Sequence, residues 1–139
     1  MYISETQVRV RYAETDQMGF VYHGNYPAYY EVGRTEALRS LGTSYHELEE
    51  RGVMMPVIDM KMKYIKPGRY DDLLTIRTII PEVPVTRMQF IYEIYNEAGT
   101  MINRGENTLI FLSKERNRPV RCPEWLHKIY VDAFFKAED

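Results

Sequence analysis

Residues 25–42, NYPAYYEVGRTEALRSLG, constrain the fold more than any other stretch of the chain. Asn25 is a good N-cap, and Pro27 suits a first helical turn, where its missing N–H costs nothing. Gly42 after Leu41 is a left-handed stop. The apolar residues of this helix form no narrow stripe. Tyr26, Tyr30, Gly33, Ala37 and Leu41 follow one line, and Tyr29, Val32 and Leu38 widen it. Such a helix wants cover on more than one side, and the small Gly33 and Ala37 let a neighbour approach its backbone.

The cover must come from strands. Residues 2–12 read as an antiparallel strand with one wet face, since Val8 and Val10 alternate with Arg9 and Arg11. Ser44 to Glu47 matches a capping box for a short second helix that Gly52 stops. Residues 54–66 alternate as one long strand, 73–80 form the next, and 87–95 present Met88, Phe90, Tyr92 and Ile94 on one face. Residues 96–99 are a hairpin turn, and the strand over 100–113 has a bulge expected at Gly105. Pro123 opens a last amphipathic helix. The order is α+β: a curved antiparallel sheet of about five strands wrapped round one long central helix, with a C-terminal helix. The edges of such a sheet pair across a twofold axis, so a homodimer is expected.

With 139 residues the chain reads as one domain, 1–139, able to bury a core without disulfides or metal. A net charge of −2 with mixed signs argues against a nucleic-acid partner. The single cysteine, Cys122, excludes an intrachain disulfide, and three scattered histidines have no metal-ligand spacing, so no metal is expected. There is no signal-peptide pattern and no apolar run long enough for a membrane span, which makes a soluble cytoplasmic protein the expectation. Twelve tyrosines are the compositional oddity; at this density they suit a half-buried sheet face, a subunit contact or a slot for an apolar ligand.

Ahead of the helix lies a polar loop with Asp16 near its middle, then Phe20-Val21-Tyr22 and the break His23-Gly24-Asn25. The loop therefore sets a carboxylate just before a helix N-terminus, which offers unpaired N–H groups and the positive end of a dipole. A carboxylate and an anion-stabilising helix end can together hydrolyse an ester or thioester.

The run Arg11-Tyr12, Asp16, Gly19, Val21-Tyr22-His23-Gly24-Asn25-Tyr26, Arg34-Thr35-Glu36 and Leu41-Gly42 resembles hotdog-fold acyl-CoA thioesterases, above all the 4-hydroxybenzoyl-CoA thioesterase-like and YbgC-type groups. Residues 64–72, YIKPGRYDD, look like the same family's second-strand and turn region, and Arg118-Pro119 with Pro123 resembles its C-terminal end. The resemblance implies a hotdog fold that is dimeric and often a dimer of dimers (a homotetramer). It implies hydrolysis of an acyl-CoA to a free acid and coenzyme A, with no cofactor beyond the coenzyme A of the substrate. Asp16 falls at the family's catalytic carboxylate. His23 falls where a backbone N–H meets the thioester carbonyl, with Gly24, Asn25 and Tyr26 completing the helix start, and Tyr12 and the His23 ring are placed at the site in YbgC-like members. Met18 and Gly68 depart from the residues common in the family and bear on substrate choice.

Plainer roles stand beside these. Asp16 could be a turn former, Tyr12 a strand-end packing residue and Asn25 a cap. Glu36 reads as the partner of a nearby arginine. Lys66 and Arg69, with Lys61 and Lys63, could meet coenzyme A phosphates or be solvated strand charges. Tyr64, beside Pro67, could line the pantetheine path. Hydrolysis of an acyl group on acyl carrier protein, or acyl-ligand binding without turnover, are the competing functions. A direct attack by Asp16 and a general-base role both stay open.

Overall fold

The computed structural model describes residues 1–138. Its strands are β1 (Tyr2–Arg9), β2 (Val53–Met54), β3 (Val57–Tyr64), β4 (Leu73–Ile80), β5 (Arg87–Tyr95), β6 (Met101–Ser113) and β7 (Arg118–Val120). Its helices are α1 (Tyr26–Ser40), α2 (Tyr45–Glu50) and α3 (Glu124–Glu138). All strand pairs are antiparallel, in the order β1-β4-β5-β6, with β3 on the far side of β6. The thirteen-residue β6 outruns its neighbours, and its end pairs with the short β2 and β7. This is the expected α+β hotdog arrangement, a long helix held in a curved sheet.

Strict alternation in β4 and β5 puts Leu74, Ile76, Ile80, Met88, Phe90, Tyr92 and Ile94 on the inner face, all fully buried. The buried face of α1 (Tyr26, Tyr29, Tyr30, Gly33, Ala37 and Leu38) lies against them. The close approach predicted at Gly33 is real: a Cβ there would stand 2.5 Å from Oγ1 of Thr78 and 2.9 Å from Cγ2 of Ile76. From α3, Leu126 and Tyr130 close the core.

Five of the tyrosines (26, 29, 30, 92 and 130) are core residues, not half-buried ones. Polar partners inside the core make part of this tolerable. Tyr30 donates to Oδ1 of Asn103, Tyr92 donates to Oδ1 of Asn107 at 2.9 Å, and the two rings stack with centroids 4.3 Å apart.

Several expectations need correction. The strand over 54–66 is two strands, interrupted at Met55-Pro56, because proline has no N–H for a ladder. Gly105 is not at a bulge; it pairs in register with Met62 and Tyr92, and the irregularities opposite β6 fall between Val57 and Asp59 and between Ile94 and Tyr95. Glycine is needed there because a Cβ would sit 2.5 Å from Cζ of Tyr30. The first strand ends at Arg9, not at residue 12, and Tyr12–Glu14 is a 3-10 turn. Asn25 stands where a cap belongs, but its side chain makes no capping bond and its Nδ2 is buried without a partner. The second helix is capped by Ser44 accepting from the Glu47 amide, while the Glu47 carboxylate turns to Thr43 and Arg51. Gly42 and Gly52 have φ values of 90° and 86°, as stops of this kind require. Glu36 pairs with Arg39.

Candidate active site

The loop between β1 and α1 is built by the carboxylate of Asp16. Its Oδ1 accepts from the amides of Met18 at 2.9 Å and Phe20 at 3.2 Å. Its own N–H donates to the Phe20 carbonyl at 2.8 Å, and its carbonyl accepts from Gly19 at 3.0 Å. Gly19, at φ 78°, supplies the left-handed residue this tight loop needs. The turn-forming reading of Asp16 is thus correct for one oxygen. No hydrogen bond reaches Oδ2 from the described residues.

Two neighbours fix the loop in space. The Val21 amide donates to the Gly68 carbonyl at 2.8 Å, and Phe20 bridges to Arg69. On the other side the Tyr22 amide donates to the Glu14 carbonyl at 2.8 Å. Gly68 permits the first contact, since a Cβ would lie 3.0 Å from Cγ2 of Val21 and 3.2 Å from Cδ1 of Ile102.

The chain then enters a 3-10 turn over His23–Asn25 that runs directly into α1. The Asn25 amide is used on the Tyr22 carbonyl at 2.9 Å. The amides of His23 and Gly24, the first two of the turn, have no partner within it, as at any helix start. The hydroxyl of Tyr64 donates to the carbonyl of His23 at 3.0 Å. The Tyr64 ring meets Tyr26 edge-on at 5.6 Å and His23 edge-on at 6.5 Å. Tyr26 is buried beneath them, and burial raises its pKa above the usual phenol value.

Between loop, helix start and the end of β3 is a cavity of about 320 Å³, lined by Asp16, Met18, Phe20, Val21, His23, Tyr26, Tyr64, Ile65, Lys66 and Pro67. Larger hollows exist, of about 720 Å³ beside the start of α3 and about 510 Å³ between α3 and the end of α1. The hollow beside α3 sets Glu124 at that helix's own start, and the smaller cavity sets Asp16 beside the turn that opens α1.

Six of the residues singled out in the sequence therefore line one cavity: Asp16, His23, Tyr26, Tyr64, Lys66 and Pro67. Gly24 and Asn25 lie behind it in the turn. Two others are held elsewhere in the chain. Arg69 rests its guanidinium 4.9 Å from the centre of the Phe20 ring, which buttresses the loop from outside. Tyr12 is 79% exposed, with its ring edge-on to Tyr70 at 5.7 Å, because the chain has already left the strand there. Sequence reasoning passed over Phe20, Val21 and Ile65 as lining. An apolar pair inside a polar loop was the available signal for the first two; an exposed Ile at a strand end gave none. Among the described residues, no three His, Cys, Asp or Glu side chains come close enough to hold a metal. No helix of the described residues is long and apolar enough to cross a membrane.

The sequence profile of the thioesterase superfamily matches residues 18–102. The chain is 38% identical over 137 residues to YneP of Bacillus subtilis, covering 96% of this chain and 99% of that one. It is 36% identical over 117 residues to the acyl-CoA thioester hydrolase YbgC of Escherichia coli, covering 84% and 87%. The crystal structure of a DHNA-CoA thioesterase from Staphylococcus aureus superposes with a TM-score of 0.89 at 33% identity, covering 99% of this chain and 92% of that one.

Proposed function

This chain belongs to the thioesterase superfamily, and we propose that it is an acyl-CoA thioesterase in which Asp16 and the start of α1 share the work. The observation that supports this division of labour is the cavity that brings Asp16 and His23, the first residue of the 3-10 turn ahead of α1, to the same space.

Hydrolysis adds water across the thioester: the carbonyl carbon gains hydroxide, the C–S bond breaks, and the coenzyme A sulfur leaves and takes a proton. As the carbonyl carbon becomes tetrahedral its oxygen turns anionic. The amide of His23, at the positive end of α1, is the donor we assign to that oxygen. Oδ2 of Asp16 either removes the proton of the attacking water or attacks the carbon itself, giving a mixed anhydride that water then opens. Oδ1 stays on the loop amides in both routes and keeps the group aimed. Phe20, Val21 and Ile65 supply an apolar wall for the acyl group, and Lys66 at the rim suits a coenzyme A phosphate.

The functional unit is a homodimer in this reading. On the side away from β6, strand β3 has no partner strand among the described residues. It also exposes Val57, Ile58 and Tyr64, a liability that a second copy would cover. Sedimentation equilibrium tests this, with a monomer at micromolar concentration as the adverse result.

The decisive experiment assays wild type and Asp16→Asn against a panel of acyl-CoAs, aliphatic and aromatic, in parallel with acyl carrier protein thioesters. Asparagine keeps an Oδ1 acceptor for the loop but can neither attack nor take a proton. The expected loss is at least about 10²-fold in kcat. Equal turnover by both proteins would remove Asp16 from the mechanism.

A further inference from the structure

We propose that Tyr26 is a specificity-determining residue: its ring closes the buried end of the active-site cavity and confines turnover to short-chain and single-ring acyl groups. This rests on the thioesterase reading above and adds a substrate class to it. Of the residues that line the cavity, Val21 and Tyr26 are the buried ones, at 5% and 3% exposure. Met18, His23, Tyr64, Ile65, Lys66 and Pro67 are exposed. The cavity therefore has a closed end and an open rim. The coenzyme A portion carries phosphate charges that are costly to bury, so it stays at the rim and the acyl group takes the closed end.

Size sets the class. A volume of about 320 Å³ is at the small end of the range for ligand sites, roughly 300–1,000 Å³. The thioester carbonyl must lie inside as well, because Asp16 is part of the lining. A short chain or one aromatic ring fits the remainder; a long fatty chain does not. The rings of Phe20, Tyr26 and Tyr64 all border the space, which suits edge-on packing of an aryl group.

A floor limits length only if it cannot swing aside, and Tyr26 is hemmed in. It is the first residue of α1. Its ring meets Tyr29 edge-on at 5.9 Å and Tyr64 edge-on at 5.6 Å. Its hydroxyl end lies against Gly68, where a Cβ would stand 3.5 Å from it. The same Cβ would stand 3.2 Å from Cδ1 of Ile102, which is fully buried. Val21, Tyr26, Tyr29 and Ile102 belong to one apolar core, so the floor is backed by filled space.

The test measures kcat/KM along a series from acetyl- through hexanoyl- to palmitoyl-CoA, with benzoyl-CoA beside it, for wild type, Asp16→Asn and three variants of Tyr26. Wild type should turn over palmitoyl-CoA at least about tenfold less efficiently than its best short or aryl substrate, since one methylene against a closed wall is worth about tenfold or more. Tyr26→Val and the milder Tyr26→Leu, shown folded by circular dichroism, should extend turnover to longer chains and narrow that ratio. Tyr26→Phe keeps the ring and should keep the cut-off, whatever its rate. A wild type that cleaves palmitoyl-CoA as efficiently as hexanoyl-CoA overturns the proposal without any variant. An unchanged length profile in a folded Tyr26→Val or Tyr26→Leu overturns the role of Tyr26, and loss of hydrolysis in Asp16→Asn then leaves the thioesterase standing. A wild type that cleaves no thioester of the series defeats the underlying reading and this one with it.

Discussion

The hydroxyl of Tyr29 donates to Oε1 of Glu14 at 3.0 Å, and this bond ties the loop carrying Asp16 to the second turn of α1. The same oxygen accepts from the Arg11 amide at 2.8 Å, and Oε2 meets the Arg11 guanidinium at 3.3 Å. Glu14 is thus a mostly buried carboxylate with its acceptors used. Burial, and then the charge of Glu14, push the Tyr29 phenol far above its ordinary pKa, so it stays a donor. Removing the hydroxyl in Tyr29→Phe leaves the carboxylate short of one donor. We expect a loss of about 1–2 kcal/mol in unfolding free energy. Urea denaturation at pH 7, with the slope unchanged, is the check. Because the brace spans the two halves of the site, kcat should fall as well.

Asp16 joins two roles that different substitutions separate. Asparagine can keep the Oδ1 contacts to Met18 and Phe20; alanine cannot. Asp16→Asn should therefore melt with the wild type, whereas Asp16→Ala should lose about 1 kcal/mol through the loop's two orphaned amides. Differential scanning calorimetry distinguishes them. Equal melting of all three proteins would mean that the loop is held by Val21 and Tyr22 alone.

Gly105 lies under the Tyr30 ring with no space for a methyl group. In Gly105→Ala either the ring or β6 must move, and the stacked Tyr92 restricts the ring. Overpacking of this kind costs about 1–3 kcal/mol. The cost should shrink in a Tyr30→Leu background, because the clash then loses its partner. A double-mutant cycle by urea denaturation measures the coupling, and a cycle that closes to zero would place the strain elsewhere.

The elements were legible where the pattern was local. The alternation of Met88, Phe90, Tyr92 and Ile94, the small residues on α1 and the glycine stops at 42 and 52 each express one short-range rule, and the folded chain obeys it. The resemblance over residues 11–42 led to the cavity, and most of its lining follows. What stayed hidden depends on pairs distant in sequence. Gly105 looked like a bulge because its reason, Tyr30, is 75 positions away. Glu14 and Tyr29 are fifteen apart across an irregular loop, with no period to connect them. Asn25 had the right residue type for a cap, but a 3-10 turn running straight into α1 leaves its backbone helical and its side chain no capping geometry. Arg69 and the Phe20 ring that its guanidinium rests on are likewise far apart in sequence, in two loops with no shared pattern.

Alkaline pH should unfold this protein through its buried acids. Burial raises the Cys122 thiol from 9.0 to about 12. Burial raises Tyr92 from 10.0 to about 12, against a partial opposing pull from the Arg34 guanidinium. Tyr30 and Tyr130 move upward for the same first cause. In each case the neutral, protonated form is the one the fold accommodates. The unfolded chain releases these protons at the lower, ordinary values, so above those values it binds fewer protons than the native state. Stability then falls as pH rises. The contribution is full below the thiol value of 9.0, declines as the unfolded thiol and then the phenols at 10.0 begin to ionise, and is gone once pH passes the raised values near 12. The urea midpoint should accordingly show a falling limb that begins between these two ordinary values. Phenolate absorbance at 295 nm should grow in two phases, exposed tyrosines first and the buried set together with the loss of far-ultraviolet circular dichroism. Titration of every tyrosine near 10 with the circular dichroism intact would show that the core admits charge, against the burial described above.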